Sequence, residues 1–203
     1  MIKKIYIRMG LLIFVAMFIL IIAAPAFAST NIIDTVAGGG TASSIGYTGL
    51  PTGAALNNPN YVKVDSNGNI YFSDTSNNVV REVAATTHTQ FGISMTAGDI
   101  YTVAGNGTQS HGGDNGPAIS AELNTPLGIA VDGNGNLFIA DSGGGMGDGY
   151  IREVANATGN IEFGTAATTM TAGDIYALAS VFNYPYCIAF DNHVHPNMFI
   201  ANY

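Results

Sequence analysis

The chain has 203 residues, a formal net charge of −8, 26 Gly, one Cys and no Trp. Six Lys and Arg against fourteen Asp and Glu supply almost no phosphate-neutralising charge, which excludes a nucleic-acid-binding domain. A single Cys excludes an intrachain disulfide framework and any Cys-rich zinc module.

Residues 1–8 carry Lys3, Lys4 and Arg8, and an apolar run at 11–24 leads to Pro25 and the small-residue pattern Ala26-Phe27-Ala28. These are the three parts of a secretory signal peptide, expected over 1–28. An uncleaved membrane anchor competes with it, because the apolar run approaches the shortest length that spans a bilayer; the cleavage-type Ala-Phe-Ala favours removal. Cleavage leaves 29–203 with Lys63, Arg81 and Arg152 as its basic residues and a formal charge of −11. The expected address is secreted, periplasmic or cell-surface, with no membrane contact once the leader is gone.

Past residue 28 the chain repeats itself. Met95-Thr-Ala-Gly-Asp-Ile-Tyr101 recurs letter for letter at 170–176. Leu56-Asn-Asn-Pro59 returns as Leu123-Asn-Thr-Pro126, and Val64-Asp-Ser-Asn-Gly-Asn69 as Val131-Asp-Gly-Asn-Gly-Asn136, both at an offset of 67. Arg81-Glu-Val83 matches Arg152-Glu-Val154 at an offset of 71, so four extra residues fall in the glycine-rich stretch 142–149. A third copy passes through Asn183-Tyr-Pro-Tyr-Cys-Ile-Ala-Phe-Asp191 and Met198-Phe-Ile-Ala201. Recurrence at this period is the mark of stacked repeat units.

In chain order, 31–37 reads as a lone outermost-type strand. The first full unit, 56–104, opens with a strand at 61–64, turns through Asp-Ser-Asn-Gly-Asn and returns at 70–73, the Asn-Gly pair tolerating the positive φ of a tight hairpin. Residues 79–83 alternate like a half-buried strand, and the β-branched and aromatic residues of 99–104 supply a fourth. The Thr- and Ala-rich connection 84–98 reads as an extended outer hairpin. The second unit, 123–179, repeats this with its own long connection at 155–173, and 183–203 begins a third. No sustained helical period appears, so the expected class is all-β.

Four-stranded units that cannot cover both sheet faces alone describe the blades of a β-propeller. The residues Asn124-Thr-Pro-Leu-Gly-Ile-Ala-Val-Asp132, Gly135-Asn-Leu-Phe-Ile-Ala-Asp141, Tyr150-Ile-Arg-Glu-Val154 and Gly112-Gly-Asp-Asn-Gly-Pro-Ala118 resemble the NHL-repeat propellers of secreted bacterial proteins. The resemblance spans most of 31–203 and implies four-stranded blades in a partial or open ring. The first unit departs from the pattern with Tyr61 and Lys63 where the second has Gly128 and Ala130, and the third lacks the Gly-Asp-Gly-Pro-Ala-type loop. Two full units and two partial ones fall short of a ring of about four to eight blades, which leaves three readings: a piece of a longer reading frame, the one favoured, assembly with other chains, or an open, degenerate array. Open blade edges also invite self-association.

Residues shared by the units are read as structural: Asp74 with Arg81, and Asp141 with Arg152, as a recurring ion pair. The Asp65 and Asp132 loops have faint calcium-loop spacing but lack the later bidentate Glu. Residues that differ between units are the candidates for ligand binding. They are Lys63 and Tyr61 on the innermost strand, and Tyr47, His111, Asp114, Met146 and Asp148 in the long connections 38–58, 105–124 and 142–149. Cys187, at the Gly128 position, reads as an inert packed thiol. His193 and His195 make half a metal site at most, and His88 stands apart from both, so no metal is assigned. No phosphate-cradling loop, nucleophile elbow or paired-carboxylate pattern is present, and no cofactor is expected.

Two functions compete. One is a secreted, non-enzymatic scaffold whose inter-blade loops bind a protein, peptide or glycan. The other is a lyase or hydrolase at the channel mouth, metal-dependent in the manner of lyases related to the NHL propellers, whose histidine motif has no residue-by-residue match here.

Overall fold

The structure is a computed structural model that describes residues 34–41, 46–145, 147–160, 169–191 and 196–203. The expected signal peptide at 1–28 lies outside the described residues, as do positions 31–33 of the expected first strand; residues 34–37 are irregular. No helix among the described residues is long and apolar enough to cross a membrane.

Three antiparallel sheets follow one another along the chain. The first contains β1 (Pro59–Val64), β2 (Ile70–Asp74), β3 (Val79–Val83) and β6 (Ile100–Ala104), in the order β1-β2-β3-β6. Its long connection forms a separate hairpin, β4 (His88–Gln90) with β5 (Ile93–Met95). The second sheet contains β7 (Gly116–Pro117), β8 (Pro126–Val131), β9 (Leu137–Asp141), β10 (Gly149–Val154) and β13 (Asp174–Phe182), in the order β7-β13-β10-β9-β8. It too carries a side hairpin, β11 (Gly159–Asn160) with β12 (Thr169–Met170). The third is the pair β14 (Pro185–Phe190) and β15 (Met198–Asn202). Described helix is confined to three single 3₁₀ turns. The described chain is therefore all-β, with open sheets.

Period-2 alternation decides how the sheets stack. One face of the first sheet presents Tyr71 and Val80, and these share a core with Ile129, Leu137 and Ile139 of the second. The other face of the second sheet presents Ala130, Phe138, Ala140 and Ile151, which pack against Ile188, Phe190, Met198 and Ile200 of the third. Strand β3, expected to be half-buried, is buried at all five positions. The loop residues Ala37, Ala54 and Leu56 help cover the first sheet's remaining face, over Ile70 and Phe72.

Each repeat spends its polar residues on closing turns and joining sheets. Asp65 Oδ1 accepts the Asn67 and Asn69 amides at 2.8 and 2.9 Å, and Oδ2 accepts Asn69 Nδ2 at 2.9 Å. Asp132 is engaged the same way by Asn134 and Asn136, and Asp191 by Asn197. In the first two turns only the Gly takes positive φ, 88° at Gly68 and 82° at Gly135, leaving Asn67 and Asn134 in ordinary conformations. The carboxylates that suggested calcium-loop spacing are hairpin staples. Thr75 and Ser142, equivalent in the repeat, donate to the carbonyls of Pro126 and Pro185 on β8 and β14 of the next sheet. The β4–β5 hairpin buries Phe91 and Met95 in the core between the first two sheets.

Candidate functional site

The strands β1, β8 and β14, one from each sheet, lie side by side and line a groove of about 530 Å³. Tyr61 and Lys63 enter it from β1; Ala130 and Ala189, which hold the Lys63 position in the other two repeats, form part of its floor. Ile188, Phe190 and Pro196 add apolar wall, while Asp132, Asn134 and Asp191 stand at the hairpin ends. Lys63 is exposed and makes no ion pair among the described residues. Two sequence candidates thus come together, and a mixed apolar and polar cleft with one ammonium is suited to binding.

Tyr61 and Cys187 occupy the same repeat position on β1 and β14, with Gly128 between them on β8. The Tyr61 hydroxyl reaches to 3.3 Å from Cys187 Sγ, and that hydrogen bond is the main cause raising the phenol above its usual pKa. A Cβ on Gly128 would lie 2.6 Å from Cys187 Cα and from the Tyr186 carbonyl oxygen. The missing side chain is what lets β8 and β14 approach, and the Tyr61–Cys187 contact crosses that gap.

The other candidates are placed differently. Asp114 binds Arg152, its Oδ1 lying 3.1 Å from Nε and 2.8 Å from Nη2. Arg152 also donates to the carbonyls of Glu122 (2.7 Å) and Gly112 (3.0 Å), with Asp141 Oδ2 at 3.4 Å from Nη1. His111 Nδ1 lies 2.9 Å from Asp141 Oδ2 and Nε2 lies 3.3 Å from Asn124 Nδ2, with the ring 4.6 Å from that of Tyr150. A carboxylate can only accept, so Nδ1 carries the proton and neutral Nε2 accepts from Asn124. Both nitrogens are occupied, and His111 with Asp114 locks the 105–123 loop onto the second sheet instead of presenting it to a ligand. Tyr47 holds the repeat position of Asp114, but its hydroxyl donates to the Leu50 carbonyl at 3.2 Å and its ring packs on the loop. Asp148 is exposed and away from the groove. Met146, His193 and His195 lie outside the described residues.

Both recurring Asp and Arg residues are fully buried. Arg81 Nε lies 3.3 Å from Asp74 Oδ2 and Nη1 donates to Thr102 at 2.9 Å. Its Nη2 has no partner, because the first repeat has Tyr47 where the second has Asp114. Burial holds the Arg81 guanidinium below its ordinary pKa, against the pull of Asp74. Among the described residues no three His, Cys, Asp or Glu side chains form a metal-holding group.

A cluster that the sequence does not single out lies behind β1. Glu82 on β3 is buried, with His88 Nε2 3.4 Å from its Oε1. Desolvation, opposed by the His88 charge and reinforced by Asp65, pushes the Glu82 carboxyl up to about 7. Its recurrence as Glu153 in Arg-Glu-Val is the one signal in the sequence that points to it. The folded chain therefore binds a proton at Glu82 that the unfolded chain has lost between about pH 4.5 and pH 7. Stability from this group falls as pH rises through that window, by about 3 kcal/mol. Glu82→Gln is expected to gain stability relative to wild type at pH 8 but not at pH 5; parallel urea-unfolding profiles at the two pH values would contradict this.

No family model matches the chain. Among solved structures, a structural-genomics protein of unknown function from Bacteroides thetaiotaomicron is similar at 23% identity with a TM-score of 0.47, over 75% of this chain. The present chain spans 35% of that protein's length.

Proposed function

We propose that the chain is a secreted NHL-type propeller segment that acts as a non-catalytic scaffold, binding a protein, peptide or glycan. The observation that carries this is the groove across three successive inner strands, where Tyr61 and Lys63 replace the small residues of the other repeats. The stacking of repeat-equivalent sheets and the motifs around Asn124, Gly135 and Tyr150 support the propeller assignment. The ligand contacts move inward from the connecting loops that the sequence suggests for them, since His111, Asp114 and Tyr47 are used to hold those loops in place. Lys63 supplies a cation and Tyr61 a hydroxyl beside apolar wall, a combination that suits acidic or carboxylate-bearing segments of such ligands.

Screening the secreted chain on a glycan array and against a displayed random-peptide library tests this, with Lys63→Glu run in parallel. Ligands bound by wild type and weakened at least tenfold by the charge reversal are expected. Ligands held equally by both proteins would place recognition outside the groove.

A further inference from the structure

Six consecutive residues, Ile129 to Asn134 of β8 and the turn after it, line the groove, and Ile188 to Asp191 do so from β14. Side chains alternate between the two faces of a strand, so an unbroken run of lining residues means that the groove meets the edge of β8, with its main chain, and not a face. β8 pairs with β9 on one side and with no strand on the other among the described residues. The Asp132 amide donates to the Asn136 carbonyl, which sets the phase of that ladder: Ala130 turns its main-chain groups toward β9, and Val131 turns its own toward the groove. Val131 is partly exposed, which puts its N–H and C=O within reach of a ligand. This edge does not depend on where the chain begins or ends: further repeats stack on sheet faces, and β8 lies in the middle sheet, with a sheet packed on each face.

A strand added to that edge continues the second sheet, so its side chains alternate between the two neighbours of that sheet. On the β1 side stands the Lys63 ammonium, exposed and in no ion pair among the described residues. On the β14 side stand Phe190 and Pro196. The turn carboxylates of Asp132 and Asp191 already accept from Asn136 and Asn197, which leaves Lys63 as the charge that a ligand meets first. Gly133 puts no side chain in the way, and a Cβ there would meet nothing within 4 Å.

We infer that the groove takes an extended peptide segment in which acidic and apolar residues alternate, and that this segment pairs as a strand with the free edge of β8. Its main chain bonds the Val131 N–H and C=O, one carboxylate meets Lys63, and the side chains on either side of that residue lie on Phe190 and Pro196. The inference rests on the groove as the binding site and narrows protein, peptide or glycan to one class. In strand addition the main chain supplies affinity and the alternating contacts supply specificity. A glycan lacks the regularly spaced N–H and C=O groups that match such an edge.

The probe is a library of blocked pentapeptides with glutamate fixed at the third residue and the other four randomised, offered to the secreted chain and to Lys63→Glu. Binders are expected to carry apolar residues at the second and fourth positions and to lose about tenfold or more in affinity to the charge reversal. N-methylation of a selected binder, one amide at a time, is expected to cost about tenfold at alternate amides and little between them, since every second amide faces β8. Val131→Pro deletes the edge donor where a strand tolerates proline, and is expected to weaken the same binder about tenfold while thermal unfolding shows it folded. An even response to N-methylation, binders without the alternation, or no binder from the library would overturn the inference. Glycans held through Lys63, with no pentapeptide held, would overturn it and leave the groove as the binding site. Binders indifferent to Lys63→Glu would remove the groove reading as well.

Discussion

Replacing Arg152 by methionine is expected to lower the unfolding free energy by ~3–5 kcal/mol, the cost of stripping one partner from a buried ion pair. The guanidinium satisfies Asp114, Asp141 and two loop carbonyls at once, at a site where Arg152 and Asp141 are fully buried. Methionine fills much of the volume but takes their donor from Asp114 and the Glu122 carbonyl, while Asp141 keeps the Asn124 amide and His111, and the Gly112 carbonyl keeps the Glu122 amide. For a domain of this size the loss corresponds to a fall in melting temperature of roughly 10 °C. Arg81→Met removes the equivalent residue of the first repeat, where Nη2 has no partner to lose and Asp74 keeps the Asn57 amide and Asn77 Nδ2. A smaller loss of ~1–3 kcal/mol is expected there. Denaturant unfolding of both variants decides the point, and equal losses would mean that the Asp114 lock adds nothing.

The second large effect is expected at Gly128. Gly128→Ala is predicted to cost ~2–3 kcal/mol, in the range of overpacked sites, because the clash is with backbone atoms of β14 that cannot rotate away. Gly133 lines the same groove, has no positive φ, and a methyl group added there would meet no atom within 4 Å. Gly133→Ala is therefore expected to stay within about 0.5 kcal/mol of wild type. The pair tests whether the approach of β8 to β14, and not glycine content as such, holds the second and third sheets together. Loss of the Tyr61–Cys187 contact in Gly128→Ala is an independent readout, visible as a shift in the Tyr61 ring signals.

The strands and the hairpin turns are legible in the chain because their physics is local. Alternation, β-branched residues and Asp-x-Asn-Gly-Asn act over a few residues, and repetition of the same letters at a fixed offset marks the units. Burial of β3 on both faces is not legible: Val80 and Glu82 alternate with Val79, Arg81 and Val83 as in a half-exposed strand, and only the loop over Phe72 and Val83 makes the second face interior. The roles of His111 and Asp114 are hidden for a related reason. As letters that differ between repeats they look like ligand contacts, yet Asp114 differs because it completes the coordination of Arg152. Glu82 does not stand out either, because a recurring Glu reads as surface charge until the His88 hairpin is folded over it.

The all-β class and the residues of the recurring ion pair are readable from letters alone, since each follows from propensity and recurrence along the chain. Tertiary structure alone decided which polar residues remain available. Sheet stacking consumes His111, Asp114, Tyr47 and the turn aspartates in loop closure and brings Tyr61 and Lys63 from one repeat against Ala130, Ala189 and Phe190 of the next two. The difference is physical: hydrogen-bonding capacity is a property of a side chain, but whether it is already spent depends on neighbours that lie far away in the chain.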